Sequence, residues 1–233
     1  MTNITNNLKN TVIQTLFTKP FYTEDELKKV IDPYISKTEA TIASFITEVN
    51  DLLNHLGYEL RSIVSDYTDV KYYGICQNLE DSSASESLGL KAEQVQLYYK
   101  FIEAVINATQ NLNSTVTVGE VLDLAPENMA QSAAQSTINK FCELGYCEII
   151  DDKVRIGPRG LLEFRPTFVQ MEGKDEGEDD IHSCMVCLDF ILAGVKCSQC
   201  NCFLHKRCLE SLNQEKWVCP YCKTTEPYIE FGM

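Results

Sequence analysis

Between Cys184 and Cys222 the chain sets eight metal-type ligands in four close pairs: Cys184 with Cys187, Cys197 with Cys200, His205 with Cys208, and Cys219 with Cys222. The order reads C-x2-C-x9-C-x2-C-x4-H-x2-C-x10-C-x2-C. Thiolate sulfur and imidazole nitrogen are the donors zinc favours, and a C-x-x-C turn lets both sulfurs reach one ion at about 2.3 Å. A tetrahedral ion takes four of them, so four pairs within 39 residues imply two zinc ions. The competing chemistry is a disulfide framework. A histidine at a ligand position, an odd total of eleven cysteines and no secretory signal at the N-terminus favour reduced thiols in an intracellular compartment instead.

Spacing alone permits either two sequential sites or two interleaved ones. The stretch resembles RING and PHD fingers, and that resemblance implies a cross-brace: Cys184, Cys187, His205 and Cys208 on one ion, Cys197, Cys200, Cys219 and Cys222 on the other. His205 in fifth place and Trp217 two residues before the seventh ligand are similar to a PHD finger. The ten-residue gap before Cys219 and the Cys219-Pro220-Tyr221-Cys222 knuckle are similar to a RING. Cys202, the spare thiol of the finger, reads as a small packed residue rather than a nucleophile. Cys76, Cys142 and Cys147 read as core, and His55 and His182 have no ligand company.

The elements that must carry this finger come in two similar halves. Thr23-Glu24-Asp25-Glu26 is a capping box that starts a short helix. A second helix is expected from about Thr38 to Leu56, with Ile42, Phe45, Ile46, Val49, Leu52, Leu53 and Leu56 on one buried face, ended by Gly57. Tyr58 to Ser65 and Val70 to Cys76 then flank the turn Asp66 to Asp69 as a hairpin. Downstream the pattern repeats: helices at about Ala92 to Ala108, Gly119 to Leu124 and Glu127 to Leu144, a stop at Gly145, and a hairpin of Tyr146 to Ile150 and Lys153 to Ile156 around Asp151-Asp152. Helices followed by a hairpin is the winged-helix order.

The predicted fold is therefore α+β, with tandem winged-helix domains at residues 1–81 and 87–170, an acidic flexible linker at 171–180, and a small two-zinc RING-like finger at 181–228. Ser82 to Glu86 reads as a polar inter-domain linker, and Glu172 to Asp180 as a tether that lets the finger move relative to the helical body.

Charge narrows the function. The net charge is −14, and residues 1–170 hold 14 Lys and Arg against 23 Asp and Glu. Phosphate-backbone binding needs clustered cations, and both candidate recognition helices carry more acids than bases. The expectation is winged helices that dock protein, with no nucleic-acid binding by this chain alone. No apolar run approaches the roughly 18 to 20 residues that cross a bilayer, so a soluble protein outside any membrane is expected.

With the finger, the repeated halves and the segment Asp152 to Gly160 leading into a last helix at Glu163, nearly the whole chain resembles the non-SMC element 1 proteins of the eukaryotic SMC complex built on the fifth and sixth SMC proteins. The resemblance implies a nuclear, chromosome-associated subunit. It also implies that the winged helices bind a MAGE-type subunit, which in turn holds a kleisin, and that the finger is a ubiquitin ligase acting in DNA repair by recombination. By position, Val186, Leu212 and Pro220 match a RING's docking surface for the ubiquitin-conjugating enzyme. Lys223 stands where many RINGs place a bridging arginine, and lysine lacks the bidentate fork, so weak activity without the partner is implied. The rival readings are a PHD-like reader of histone tails and a purely structural zinc-finger scaffold subunit.

Overall fold

A computed structural model describes residues 2–38, 40–78, 90–171, 182–212 and 216–232, with the side chains of 2–6 and 167–171 left aside. The linkers expected at Ser82 to Glu86 and Glu172 to Asp180 lie outside the described residues.

The first half runs α1 (Thr2–Leu16), β1 (Tyr22–Thr23), α2 (Glu24–Thr38), α3 (Ile42–Leu53), then β2 (Tyr58–Val64) and β3 (Lys71–Gln77). The predicted capping box is present: Glu26 N–H donates to Thr23 Oγ1 at 3.3 Å, and Thr23 N–H donates to Glu26 Oε2 at 2.9 Å. It opens a helix of 15 residues, longer than the short one expected. Helix α1 was not expected at all, because its Asn and Thr residues are poor helix formers. Burial of Val12 and Leu16 against the first-half core holds it in place.

Helix α3 starts three to four residues later than the hydrophobic pattern suggested, at Thr41, whose hydroxyl caps Ser44 N–H. Its buried face is Phe45, Val49 and Leu53, whereas Leu52 and Leu56 are 42% and 70% exposed. A 3-10 turn at Asn54–Leu56 rotates the last residues off the helical stripe, which corrects the sequence expectation.

The second half repeats this order with α4 (Ala92–Gln110), β4 (Val116–Thr117), α5 (Val118–Asp123), α6 (Gln131–Glu143), β5 (Cys147–Ile150) and β6 (Lys153–Ile156). The two small sheets share one strand order, β1-β3-β2 and β4-β6-β5, all antiparallel. Asp151 and Asp152 both adopt positive φ, as a two-residue hairpin turn of this hand requires. Tyr98 centres this half, with its ring against Phe101, Phe141, Tyr146 and Phe164 and its hydroxyl on the Tyr146 carbonyl.

Helix α7 (Pro158–Met171) packs on β2 and β3 of the first half as well as on β5 of its own. Arg159 and Tyr146 both engage its Glu163 carboxylate, at 2.7 and 2.8 Å, and Arg61 of β2 reaches the Glu163 carbonyl. The finger follows as β7 (Gly194–Cys197), β8 (Phe203–Leu204), α8 (Lys206–Ser211) and β9 (Tyr228–Phe231), in the sheet order β8-β7-β9.

The two helix-to-strand glycines separate local geometry from packing. Gly57 and Gly145 both have φ near +75°, where a Cβ costs about 1 kcal/mol or more. Open space surrounds the Cβ position at Gly57, but at Gly145 it would lie 2.3 Å from Phe21 of the other half. Gly57→Ala should therefore lower the unfolding free energy by about 1 kcal/mol and Gly145→Ala by about 2 to 4 kcal/mol. Urea unfolding of both variants checks this, and equal losses would mean that Phe21 yields freely.

Candidate metal centre

The finger has too little apolar substance for a core of its own, so its cysteines make up much of what is buried there. Folding draws the donor atoms into two groups, each with all its ligand atoms within 4.8 Å of one another: Cys184, Cys187, His205 and Cys208, and Cys197, Cys200, Cys219 and Cys222. The pairs are interleaved along the chain. Strands β7 and β8 carry the inner pairs apart, and helix α8 turns His205 and Cys208 back toward the first knuckle.

The donors suit a tetrahedral ion. Four sulfurs at the ordinary zinc distance stand about 3.8 Å apart. Cys197 and Cys222 are separated by 3.7 Å, and so are Cys200 and Cys219. In the other group His205 Nδ1 lies 3.3 Å from Cys187 Sγ and 3.8 Å from Cys208 Sγ. These residues would hold two ions, and a bound zinc would supply the cross-links that fix the fold of the finger.

Both outer knuckles use one local geometry. Leu188 N–H donates to the Cys184 carbonyl at 2.8 Å and Lys223 N–H to the Cys219 carbonyl at 3.0 Å. Each places a non-glycine residue at positive φ just after the second cysteine. Backbone N–H groups then point at the first sulfur. Burial opposes ionisation of Cys184, yet His205 and the N–H groups of Cys187, His205 and Val186 bring its thiol down to about 6. Burial likewise opposes the charge on Cys219, and the N–H groups of Cys222 and Tyr221 bring it to about 6. Each group thus contains a thiol that ionises readily, as metal capture needs.

Cys202 behaves differently. It is buried in the finger core, and burial pushes its thiol up to about 12, which suits a packed residue and not a nucleophile. Trp217 packs edge-on against Tyr228 at 5.3 Å, and its Nε1 is buried without a hydrogen-bond partner among the described residues.

His205 itself is fully buried, and its far nitrogen is engaged both within the finger and outside it. Nε2 lies 3.1 Å from the Phe190 carbonyl and 3.2 Å from Asp66 Oδ1, the latter in the β2–β3 turn of the first half. No sequence signal marked Asp66, since its contacts span more than 120 residues. The finger is in fact packed on the body. Phe190 and Leu192 join the second-half core, Arg165 of α7 pairs with Asp189 at 2.8 Å, and Ser114 Oγ donates to the Gly232 carbonyl at 3.0 Å. In this arrangement the finger lies against the body, and the tether expected to let it move lies outside the described residues.

The residues matched to a docking surface are distributed unevenly. Val186 and Lys223 are exposed, whereas Pro220 is half-buried and Leu212 half-buried against the finger core. Lys223 Nζ donates to the Pro220 carbonyl at 2.7 Å. Met185, Leu188 and Tyr221 are exposed in the same two knuckles and went unnoticed in the sequence; Leu188, at 72%, is the most open of them.

The sequence model of the family described as "Nse1 non-SMC component of SMC5-6 complex" matches residues 9–125, about half of the chain. A Drosophila melanogaster protein named "Non-structural maintenance of chromosomes element 1 homolog" is 22% identical over 191 residues, covering 79% of this chain and 77% of that protein. A chain of a solved structure titled "Nse1-Nse3-Nse4 complex" superposes with a TM-score of 0.78 at 16% identity, covering 94% of this chain and 96% of that one. The likeness to the solved structure is one of fold. The family match ends before the finger, so the metal centre stands on its own residues.

Metal analysis of the purified chain should find two zinc ions per molecule. Cys197→Ser should cut that to about one, and Cys202→Ser should leave two. Full zinc content in Cys197→Ser would remove Cys197 from the ligand set.

Proposed function

Because the chain belongs to the family of Nse1 non-SMC components of the SMC5-6 complex, we propose that it is the RING-type ubiquitin-protein ligase subunit of that complex, working in the nucleus in DNA repair by homologous recombination. The observation that carries the ligase reading is the interleaved pair of Cys/His donor groups, with apolar residues exposed on the knuckles. The two halves act as winged helices, a reading supported by their shared helix-strand-helix-helix-hairpin order and matching sheets. The solved structure that the chain resembles is titled "Nse1-Nse3-Nse4 complex", and in this reading its partners are the MAGE-type subunit Nse3 and the kleisin Nse4.

Such a ligase forms no covalent bond to ubiquitin. It docks a charged conjugating enzyme and restrains the thioester-linked ubiquitin so that a substrate amine attacks from a productive position. Val186 and Pro220 form the docking contact in this reading, with Leu212 supporting it from beneath. Lys223 is held on the Pro220 carbonyl and offers one point charge in place of a fork, which suits slow transfer until the MAGE-type partner is added. Trp217 serves as packing, which disfavours a histone-tail reader, since one edge-on Trp–Tyr pair is no cage around a cation.

The partner-docking surface is best supported on the first half. Phe17, Leu52 and Leu56 are apolar and exposed, and Phe17 stands edge-on to Tyr58 at 5.5 Å. Leu56→Glu should weaken binding to the MAGE-type subunit by about tenfold or more while leaving thermal unfolding nearly unchanged, as measured by calorimetric titration and a melting curve. Unaltered affinity would remove this face from the interface.

For the ligase itself, the reading is the rate at which charged conjugating enzyme loses ubiquitin to free lysine, with and without the MAGE-type partner. Acceleration that grows with partner and falls about tenfold in Pro220→Ala or Val186→Ala, at full zinc content, is expected. No acceleration from a chain loaded with both ions would leave the finger a structural scaffold.

A further inference from the structure

Asp66 stands at the tip of the first hairpin, far from the finger in sequence, and yet only 6% of its side chain is exposed. Its carboxylate is fully used. Oδ2 accepts from Leu192 N–H at 2.9 Å, and Oδ1 accepts from Arg207 Nη1 at 2.8 Å and faces His205 Nε2 at 3.2 Å. All three partners belong to the finger. Arg207 sits between two of the candidate ligands in helix α8, and Leu192 precedes β7.

The turn that carries Asp66 is itself held rigidly. Ser65 N–H donates to the Val70 carbonyl at 3.0 Å, Asp69 N–H donates to the Ser65 carbonyl at 2.8 Å, and Tyr67 anchors the other side through its hydroxyl on the Ser114 carbonyl. Arg155 of β6 lies over the Tyr67 ring at 4.8 Å. Asp66 therefore meets His205 as a fixed acceptor, not as a mobile surface acid.

We propose that Asp66 is a positioning residue for the first metal site, lent to the finger by the first half of the body. The Nδ1 lone pair of His205 faces the sulfurs of Cys187 and Cys208, so the proton must reside on Nε2 for that nitrogen to ligate. The Phe190 carbonyl and the Asp66 carboxylate both accept from Nε2–H, which fixes the tautomer and the ring angle and makes Nδ1 a stronger donor. Three thiolates and one dication leave this centre with a formal negative charge, and a second anion beside it needs an offset. Arg207 supplies it on the same carboxylate oxygen. Metal loading of the first site and docking of the finger on the body are thereby one coupled event, while the four-cysteine site holds no histidine whose far nitrogen could make such a tie.

This inference rests on the zinc reading of the finger, and one experiment separates the two. The full-length chain, loaded with zinc, is mixed with a chromogenic chelator, and the release of each ion is followed for wild type, Asp66→Asn and Asp69→Asn. Asp69 shares the turn but lies 3.8 Å from Arg207 and is largely exposed, so it controls for charge. Asp66→Asn should release one of its two ions about 10- to 100-fold faster, with the other leaving at the wild-type rate and Asp69→Asn unchanged. With cobalt in place of zinc, the absorption bands of the histidine-bearing site should shift in Asp66→Asn and those of the four-sulfur site should not. Identical release from Asp66→Asn and wild type would overturn the proposal, as would equal acceleration of both ions, which reports general loosening. A wild-type chain that binds no zinc would sink the metal reading and this inference with it.

Discussion

A carboxylate taken out of water must be met by donors on nearly every side, or its burial costs several kcal/mol. Asp66 meets that demand with groups from one source, the finger, and so the tip of the first hairpin has a defined place on the rest of the molecule. Its neighbour Tyr67 reaches in the opposite direction to the second half. Two consecutive residues thus tie three parts of the chain together. Other junctions, among them Phe21 over Gly145, α7 across β2 and β3, and Arg165 on Asp189, are consistent with that single arrangement.

The finger illustrates how a small unit is stabilised from two directions. Internally, two sets of four donors substitute for the apolar core that so few residues cannot build. Externally, Phe190 and Leu192 are donated to the second-half core, and Ile191, Phe203 and Phe231 close over Leu112. The two outer knuckles remain open, with Leu188 and Lys223 exposed and held at positive φ. A body that clamps one face and leaves the other bare would suit the ligase proposed above, which would work by holding its partners in position.

Much of the fold was legible because its signals are local. The capping box at Thr23, the glycines at 57 and 145 and the Asp151-Asp152 turn each act within a few residues and sit at element boundaries, and the apolar spacing of α4 marks its buried face. Helix α1 escaped notice because its propensity is poor and its apolar residues, Val12 and Leu16 with Leu8 and Ile13 beside them, are stabilised by a core assembled from later residues. The face of α3 was overread for the converse reason. Leu52 and Leu56 fit a helical period, but Leu52 is exposed on α3 and the 3-10 turn carries Leu56 off the stripe, so both stand in solvent.

The sequence by itself offered the eight donors, as three C-x-x-C pairs and one H-x-x-C pair of soft ligands. It also determined the two repeated halves, through hydrophobic period and turn chemistry. Only the tertiary structure decided how the donors pair, because interleaved and sequential sites use the same spacings and differ in how β7, β8 and α8 cross. Only the tertiary structure, too, brought Asp66 to His205. Side-chain partners separated by 139 residues leave no periodic trace in a chain; their meeting is the outcome of packing, and packing depends on every element at once.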